Sequence, residues 1–212
     1  LARMHPGRVH GGIGHGVAEW MDQIGARPES WLGALEETTE AVRRLLRGER
    51  LTVDGAYVRP RDVALEHVPE PVPPVSLGVQ RAKSLSLAGR CADGTILAEG
   101  SSPAYIAWAR ARIDDGRVES GSDATHRVTV YALCDVDAAD PDNARNNVRR
   151  ALAPFLSSGS GSPQVRVLPY ATRVDALIAK GGITALEAGM DDAWIDDLAI
   201  AGSPDQCRAA IE

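Results

Sequence analysis

Residues 73–99 read PPVSLGVQRAKSLSLAGRCADGTILAE, and the reading of this stretch decides the fold. Val75, Leu77 and Val79 lie in a short apolar run set off by Pro73 and Pro74, which reads as a buried strand. Leu85, Ala88, Cys91 and Ala92 recur at helical spacing, and Asp93-Gly94 reads as the end of that helix, glycine being the expected residue past a helix end. Residues 95–98, Thr-Ile-Leu-Ala, read as a second buried strand. Strand, crossover helix and strand form a βαβ unit, the building block of parallel sheets.

The chemistry lies in the first turn of that unit. Ligands of parallel α/β folds bind where strands end and helices begin. A helix N-terminus presents unpaired N–H groups and a partial positive charge, which suit a phosphate. Arg81 and Lys83 stand at this point. Two readings stay open from the local pattern: a phosphate seat for a nucleotide-like cofactor, or an ordinary solvated helix start with two surface bases.

The rest of the chain sets bounds on both. The 212 residues are 44% hydrophobic and 25% charged, as in a soluble globular protein with one sizeable core. A net charge of -6 and a pI near 5.4 give no nucleic-acid footprint. Cys91, Cys134 and Cys207 are few, dispersed and odd in number, which argues against a disulfide framework and fits a reducing cytoplasm. No run is long enough for a membrane span. The chain opens at Leu1 without an initiator Met, and a helix capped by Ser203 with Pro204 at its first position has only just begun when the sequence stops. The expectation is a fragment, forming a single partial domain over residues 1–212.

Working outward, residues 7–17 read GRVHGGIGHGV. Val9 and Ile13 supply strand bulk, while Gly12, Gly14 and Gly16 let a ligand come close to backbone. The dinucleotide fingerprint G-x-G-x-x-G fails, because Val17 stands at the third glycine position. His5, His10 and His15 are spaced by five, which puts no metal-ligand set on one face, and no metal site is assigned. His15 alone sits at a strand end, where an exposed turn histidine is the simpler reading. Residues 28–47 read as an amphipathic helix, and residues 51–58, with Asp54-Gly55 between apolar runs, as a hairpin excursion. After Glu99, Gly100 and Ser101, Ser102 and Pro103 begin another helix. Residues 126–136, HRVTVYALCDV, read as one long central strand, and residues 157–163, SSGSGSP, as a flexible linker. Asp191, Asp192, Asp196 and Asp197 crowd one turn and read as a solvated acidic loop. Strand and helix alternate about four times, as in an open α/β sheet or part of a (β/α)8 barrel.

Taken together, GRVHGGIGHG, residues 73–103 and the terminal AGSPDQCRAAI resemble the luciferase-like monooxygenase superfamily, and within it the deazaflavin-dependent branch of methylenetetrahydromethanopterin reductases. The resemblance spans nearly the whole chain. It implies a (β/α)8 TIM barrel with an excursion, of which this chain holds about strands four to seven, and a homodimer in the full-length form. It implies that Gly14, His15 and Gly16 lie against a deazaflavin ring of the coenzyme F-420 type, and that Gly78, Val79, Gln80, Arg81, Ala82 and Lys83 hold the cofactor phosphate. Glu99, Gly100 and Ser101 would face the substrate, with Glu99 the one carboxylate nominated as catalytic, to steer protons or orient substrate. A strand-end carboxylate facing solvent is its plainer alternative. Many relatives carry Gly-Pro where this chain has Arg81-Ala82, which shifts the phosphate grip toward the Arg81 side chain. The family's non-prolyl cis peptide belongs to a third strand that this chain lacks.

Three expectations for function follow. The first is an oxidoreductase moving a hydride between reduced deazaflavin and a C–N or C=N centre of a small-molecule substrate. The second exchanges the cofactor for FMN in a monooxygenase. The third is a truncated, non-catalytic chain that acts as a binding or assembly partner through unpaired strand edges.

Overall fold

In the computed structural model, which describes residues 1–211, the chain runs through β1 (Gly11–Gly14) and the short helix α1 (Ala18–Gln23) into α2 (Trp31–Leu46). The Ser30 hydroxyl starts α2 by accepting from the Gly33 amide at 3.1 Å. After the excursion come β2 (Val75–Gly78), α3 (Ala82–Cys91), β3 (Gly94–Leu97), α4 (Pro103–Ser120) and β4 (Arg127–Val130). These strands make one sheet in the order β1-β2-β3-β4, with β1, β2 and β3 parallel. The βαβ reading of residues 73–99 therefore holds. The chain divides into two compact units, Leu1–Ile96 with Ala111–Thr129, and Leu97–Arg110 with the residues from Val130 onward.

In the first unit the strand register sorts side chains onto two unlike faces. Ile13, Val75, Leu77 and Thr95 share one face; Gly12, Gly14, Ser76, Gly78, Gly94 and Ile96 share the other. Val75, Leu77 and Thr95 are buried, as are Leu35 of α2 and Leu85, Leu87 and Ala88 of α3. Each buried aliphatic side chain contributes about 1.5–3 kcal/mol. On β1, β2 and β3 the second face holds a single bulky residue, Ile96. Barrel strands ordinarily fill that side with large branched residues.

Two local expectations are corrected here. Residues 51–58 do not pair across Asp54-Gly55: the chain reverses later, with the Gly55 amide donating to the Val58 carbonyl, Val53 to Pro60, and Leu51 pairing with Val63 in an isolated antiparallel bridge. The reason is Glu37 on α2, whose carboxylate accepts from the amides of Ala56, Tyr57 and Val58 at 3.1, 2.8 and 3.0 Å. A ladder cannot use amides already taken. Asp93-Gly94 is not a helix cap either. α3 ends at Cys91, and Gly94 lies in β3, where a Cβ would come within 2.6 Å of the Ser76 hydroxyl oxygen. Close strand packing, not a left-handed turn, calls for glycine at this position.

The second unit continues with β5 (Cys134–Val136), α5 (Pro141–Leu156), a 3-10 turn (Gly159–Gly161), α6 (Pro163–Arg166), α7 (Ala171–Gly189), α8 (Asp192–Leu198), β6 (Ile200–Gly202) and α9 (Pro204–Ile211). The long strand expected over residues 126–136 is split, since β5 pairs in parallel with β6 in a sheet of its own. The partner changes at the break: the Tyr131 amide donates to the Leu97 carbonyl, and the Leu133 carbonyl accepts from Ile200. The expected linker at residues 157–163 is folded. The Ser160 amide donates to Asp175 at 2.8 Å, and Gly159, Ser162 and Pro163 are buried. The acidic turn is equally structured. Asp191 pairs with Arg173, Asp192 with Arg149 and Asp196 with Arg145, while Asp197 accepts from the Tyr170 hydroxyl. Leu152, Leu156, Val174, Leu186, Trp194 and Ile195 form the core of this unit, with Tyr170 stacked on Trp194 at 4.4 Å.

Candidate functional site: the C-terminal edge of β1 and β2

Gly14 and Gly78 end their strands side by side, paired in register. Both are exposed. A Cβ on Gly14 would meet the Gly78 carbonyl oxygen at 3.2 Å, tighter than ordinary contact. The pair thus forms a strip of backbone with no side chains, on which a flat molecule can rest. Gly16, at φ +72°, turns the chain away just beyond it.

The turn after β2 leads into α3. Val79 is buried and ties back through its amide to the Ile96 carbonyl at 3.4 Å, whereas Gln80, Arg81, Ala82 and Lys83 are exposed. Arg81 is the N-cap, in extended conformation at φ -99°, ψ 154°. A guanidinium has no acceptor, so it cannot cap the helix as a serine would. The Ser84 hydroxyl instead accepts from the Arg81 amide at 3.3 Å and donates to the Arg81 carbonyl at 3.0 Å. The first-turn amides of Ala82 and Lys83 have no intrahelical partner. Among the described residues the Arg81 and Lys83 side chains have no ion-pair or hydrogen-bond partner. Open amides, a positive helix end and two uncommitted cations make an anion seat.

His15 follows Gly14 directly. Its ring meets Trp31 edge-on, with centroids 6.2 Å apart. Its Nδ1 is buried without a hydrogen-bond partner, at the side of a cavity of about 460 Å3 that Met21, Trp31 and Tyr57 also line. Burial holds its pKa below the usual histidine value, and the Trp31 backbone opposes part of the drop.

Glu99, Gly100 and Ser101 lie in the second unit, and that turn is closed on itself. Gly100 and Ser101 are buried. Gly100 adopts φ +74°, and a Cβ there would touch Phe155. The Ser101 hydroxyl donates to the Ala98 carbonyl at 2.6 Å and accepts from the Gln164 amide at 3.1 Å. The same Gln164 nitrogen reaches the Glu99 carbonyl at 3.2 Å. The Glu99 carboxylate is half-buried and, among the described residues, has no ion-pair partner. Gln164 escaped the sequence reading because it follows the supposed linker. Ser162-Pro163, a cap followed by proline at the first helical position, was the available signal of a folded start. No group of His, Cys, Asp and Glu fit to hold a metal occurs among the described residues, and no helix among them is long and apolar enough to cross a membrane.

The family model described as luciferase-like monooxygenase matches residues 1–212. The chain belongs to the luciferase-like monooxygenase family. Within that family it is 31% identical over 217 residues to a 5,10-methylenetetrahydromethanopterin reductase of Methanolobus tindarius, covering 100% of this chain and 65% of the relative. It is 32% identical over 130 residues to an F420-dependent glucose-6-phosphate dehydrogenase of Microbacterium testaceum, covering 57% of this chain and 37% of that one. The coenzyme F420 dependent tetrahydromethanopterin reductase of Methanopyrus kandleri superposes with a TM-score of 0.73 at 23% identity, covering 97% of this chain and 64% of that structure. A type II Baeyer-Villiger monooxygenase of Pseudomonas putida in complex with FMN superposes with a TM-score of 0.61 at 16% identity, covering 97% of this chain and 60% of its own. The fold is thus that of the luciferase-like barrel, as the sequence resemblance implied, and this chain spans 65% of the length of its methanopterin-reductase relative.

Proposed function

We propose that this chain forms the coenzyme-binding part of an oxidoreductase that moves a hydride between a reduced deazaflavin coenzyme of the F-420 type and a C–N or C=N centre of a small-molecule substrate. The observation that carries this reading is the paired Gly14–Gly78 strip beside the uncapped start of α3. Residues and group fit each other: a Cβ on Gly14 would intrude on that strip, and the open amides beside Arg81 and Lys83 suit a phosphate. The coenzyme, when bound, supplies the redox chemistry. The chain supplies position. Gly14 and Gly78 accept the ring against bare backbone, and His15 closes the end of the strip with a neutral, half-buried imidazole. Ala82 and Lys83 amides, with the Arg81 guanidinium and Lys83 ammonium, hold the phosphate through charge-assisted bonds. Glu99 is the carboxylate that orients substrate or steers a proton. Gly100 and Ser101 shape its turn from within, since the Ser101 hydroxyl is already spent. Such fixed placement of two flat partners is the protein's share of catalysis.

FMN is the second reading, favoured by the FMN-bound structural neighbour. One titration separates the two. Added to deazaflavin coenzyme, the chain is expected to quench its fluorescence saturably at micromolar protein, and Gly14→Val is expected to abolish the quench. Quenching of FMN alone selects the second reading, and quenching of neither rejects the site.

A further inference from the structure

The opposite ends of β1 and β2 carry a second concentration of positive charge that the coenzyme reading does not use. A cavity of about 450 Å3 opens there, lined by His10, Arg43, Arg47 and Arg127, with Val72 and Asp93. Asp93 is its one carboxylate, and both oxygens are spent. Oδ1 accepts from Arg43 at 2.5 Å, and Oδ2 accepts from the Val75 amide at 2.9 Å. Arg43 also donates to the Cys91 carbonyl at 2.7 Å, which fixes the guanidinium in place. Its Nε is buried and has no partner.

The other two arginines are uncompensated. Among the described residues Arg47 and Arg127 have no carboxylate partner. Arg127 faces only the His10 imidazole, Nη1 to Nε2 at 3.5 Å, the outer limit of a hydrogen bond. Asp93 cancels Arg43, so the cavity is left with two net guanidinium charges. Like charges at one opening repel. An oxyanion relieves that repulsion, and the planar guanidinium fork matches oxyanion geometry.

We infer that this cavity binds a small oxyanion, a phosphate or a carboxylate, held by Arg47 and Arg127. The site is separate from the anion seat at α3, which lies at the other ends of the same strands. It does not depend on the proposed coenzyme. Chloride, lacking the forked geometry, binds it poorly.

The test is an NMR titration of the chain carrying Arg81→Asp, which disables the α3 seat. Inorganic phosphate and acetate are added in separate series at constant ionic strength. Saturable shifts at the Val75 and Arg127 amides are expected with at least one of them, and the one that saturates identifies the oxyanion. Arg47→Gln and Arg127→Gln, both at exposed positions, should each weaken that binding about tenfold. Shifts that never saturate, that chloride reproduces equally, or that persist unchanged in both arginine variants overturn the inference.

Discussion

Two helices in this chain begin just past the ends of neighbouring strands, and they begin in opposite ways. α4, after β3, is sealed by its own sequence. The Ser102 hydroxyl accepts from the Tyr105 amide at 3.1 Å, Pro103 has no amide to satisfy, and Gln164 clasps the preceding turn. α3, after β2, has Arg81 where α4 has Ser102. Its first-turn amides stay open and two cations stand beside them. The same topological position can serve the protein or a ligand, and the residue at the N-cap decides which.

That contrast can be broken from either side. The largest expected effect is at the sealed turn. Gln164→Ala removes the donor to the buried Ser101 hydroxyl and the part-buried Glu99 carbonyl and should cost about 1–3 kcal/mol in urea unfolding, with coenzyme affinity unmoved. A cost near zero would mean that the turn is held by something else. Gly100→Ala forces a side chain into the left-handed region and should cost about 1–2 kcal/mol by the same measurement. Arg81→Asp makes α3 resemble α4: a carboxylate caps the open amides. Stability should rise by about 1 kcal/mol while phosphate and coenzyme affinity at that turn fall more than tenfold. Unchanged affinity would place the anion elsewhere.

The smallest effect is a shared background of pH. Burial first, and then the Arg117 charge, hold His126 below its usual value of 6.5, and burial does the same to His15. The unfolded chain therefore takes up protons that the folded chain refuses, and stability falls as pH drops through 6.5 toward the lowered folded values. His126→Gln, whose imidazole now meets the Thr95 hydroxyl at 2.8 Å, should flatten that slope in unfolding curves taken across this range.

Much of this was legible beforehand for a physical reason. The strand-helix-strand order in residues 73–99 follows from local periodicity, and Arg81 and Lys83 need only their place in the turn. What escaped depends on partners far along the chain. Asp54-Gly55 signals a tight turn at that pair, but Glu37 captures the amides that such a hairpin would use, and the chain reverses over residues 55–58. Glycine and serine at residues 157–162 look mobile, yet Asp175 and a buried proline fold them. β6 is three residues long, too short for any pattern, and exists because β5 offers it an edge. Gln164 was hidden with the segment that carries it. Long-range acceptors, rather than weak local propensity, account for these misses.

Glu37 has one more consequence. By gripping three successive amides it ties the tip of the excursion to α2, while backbone bonds from Leu51 to Val63, Val53 to Pro60 and Gly55 to Val58 join its two arms. Residues added or lost around Arg59 to Asp62 would break the bonds that join those arms, yet the register of the sheet, set by strands outside the excursion, would stand.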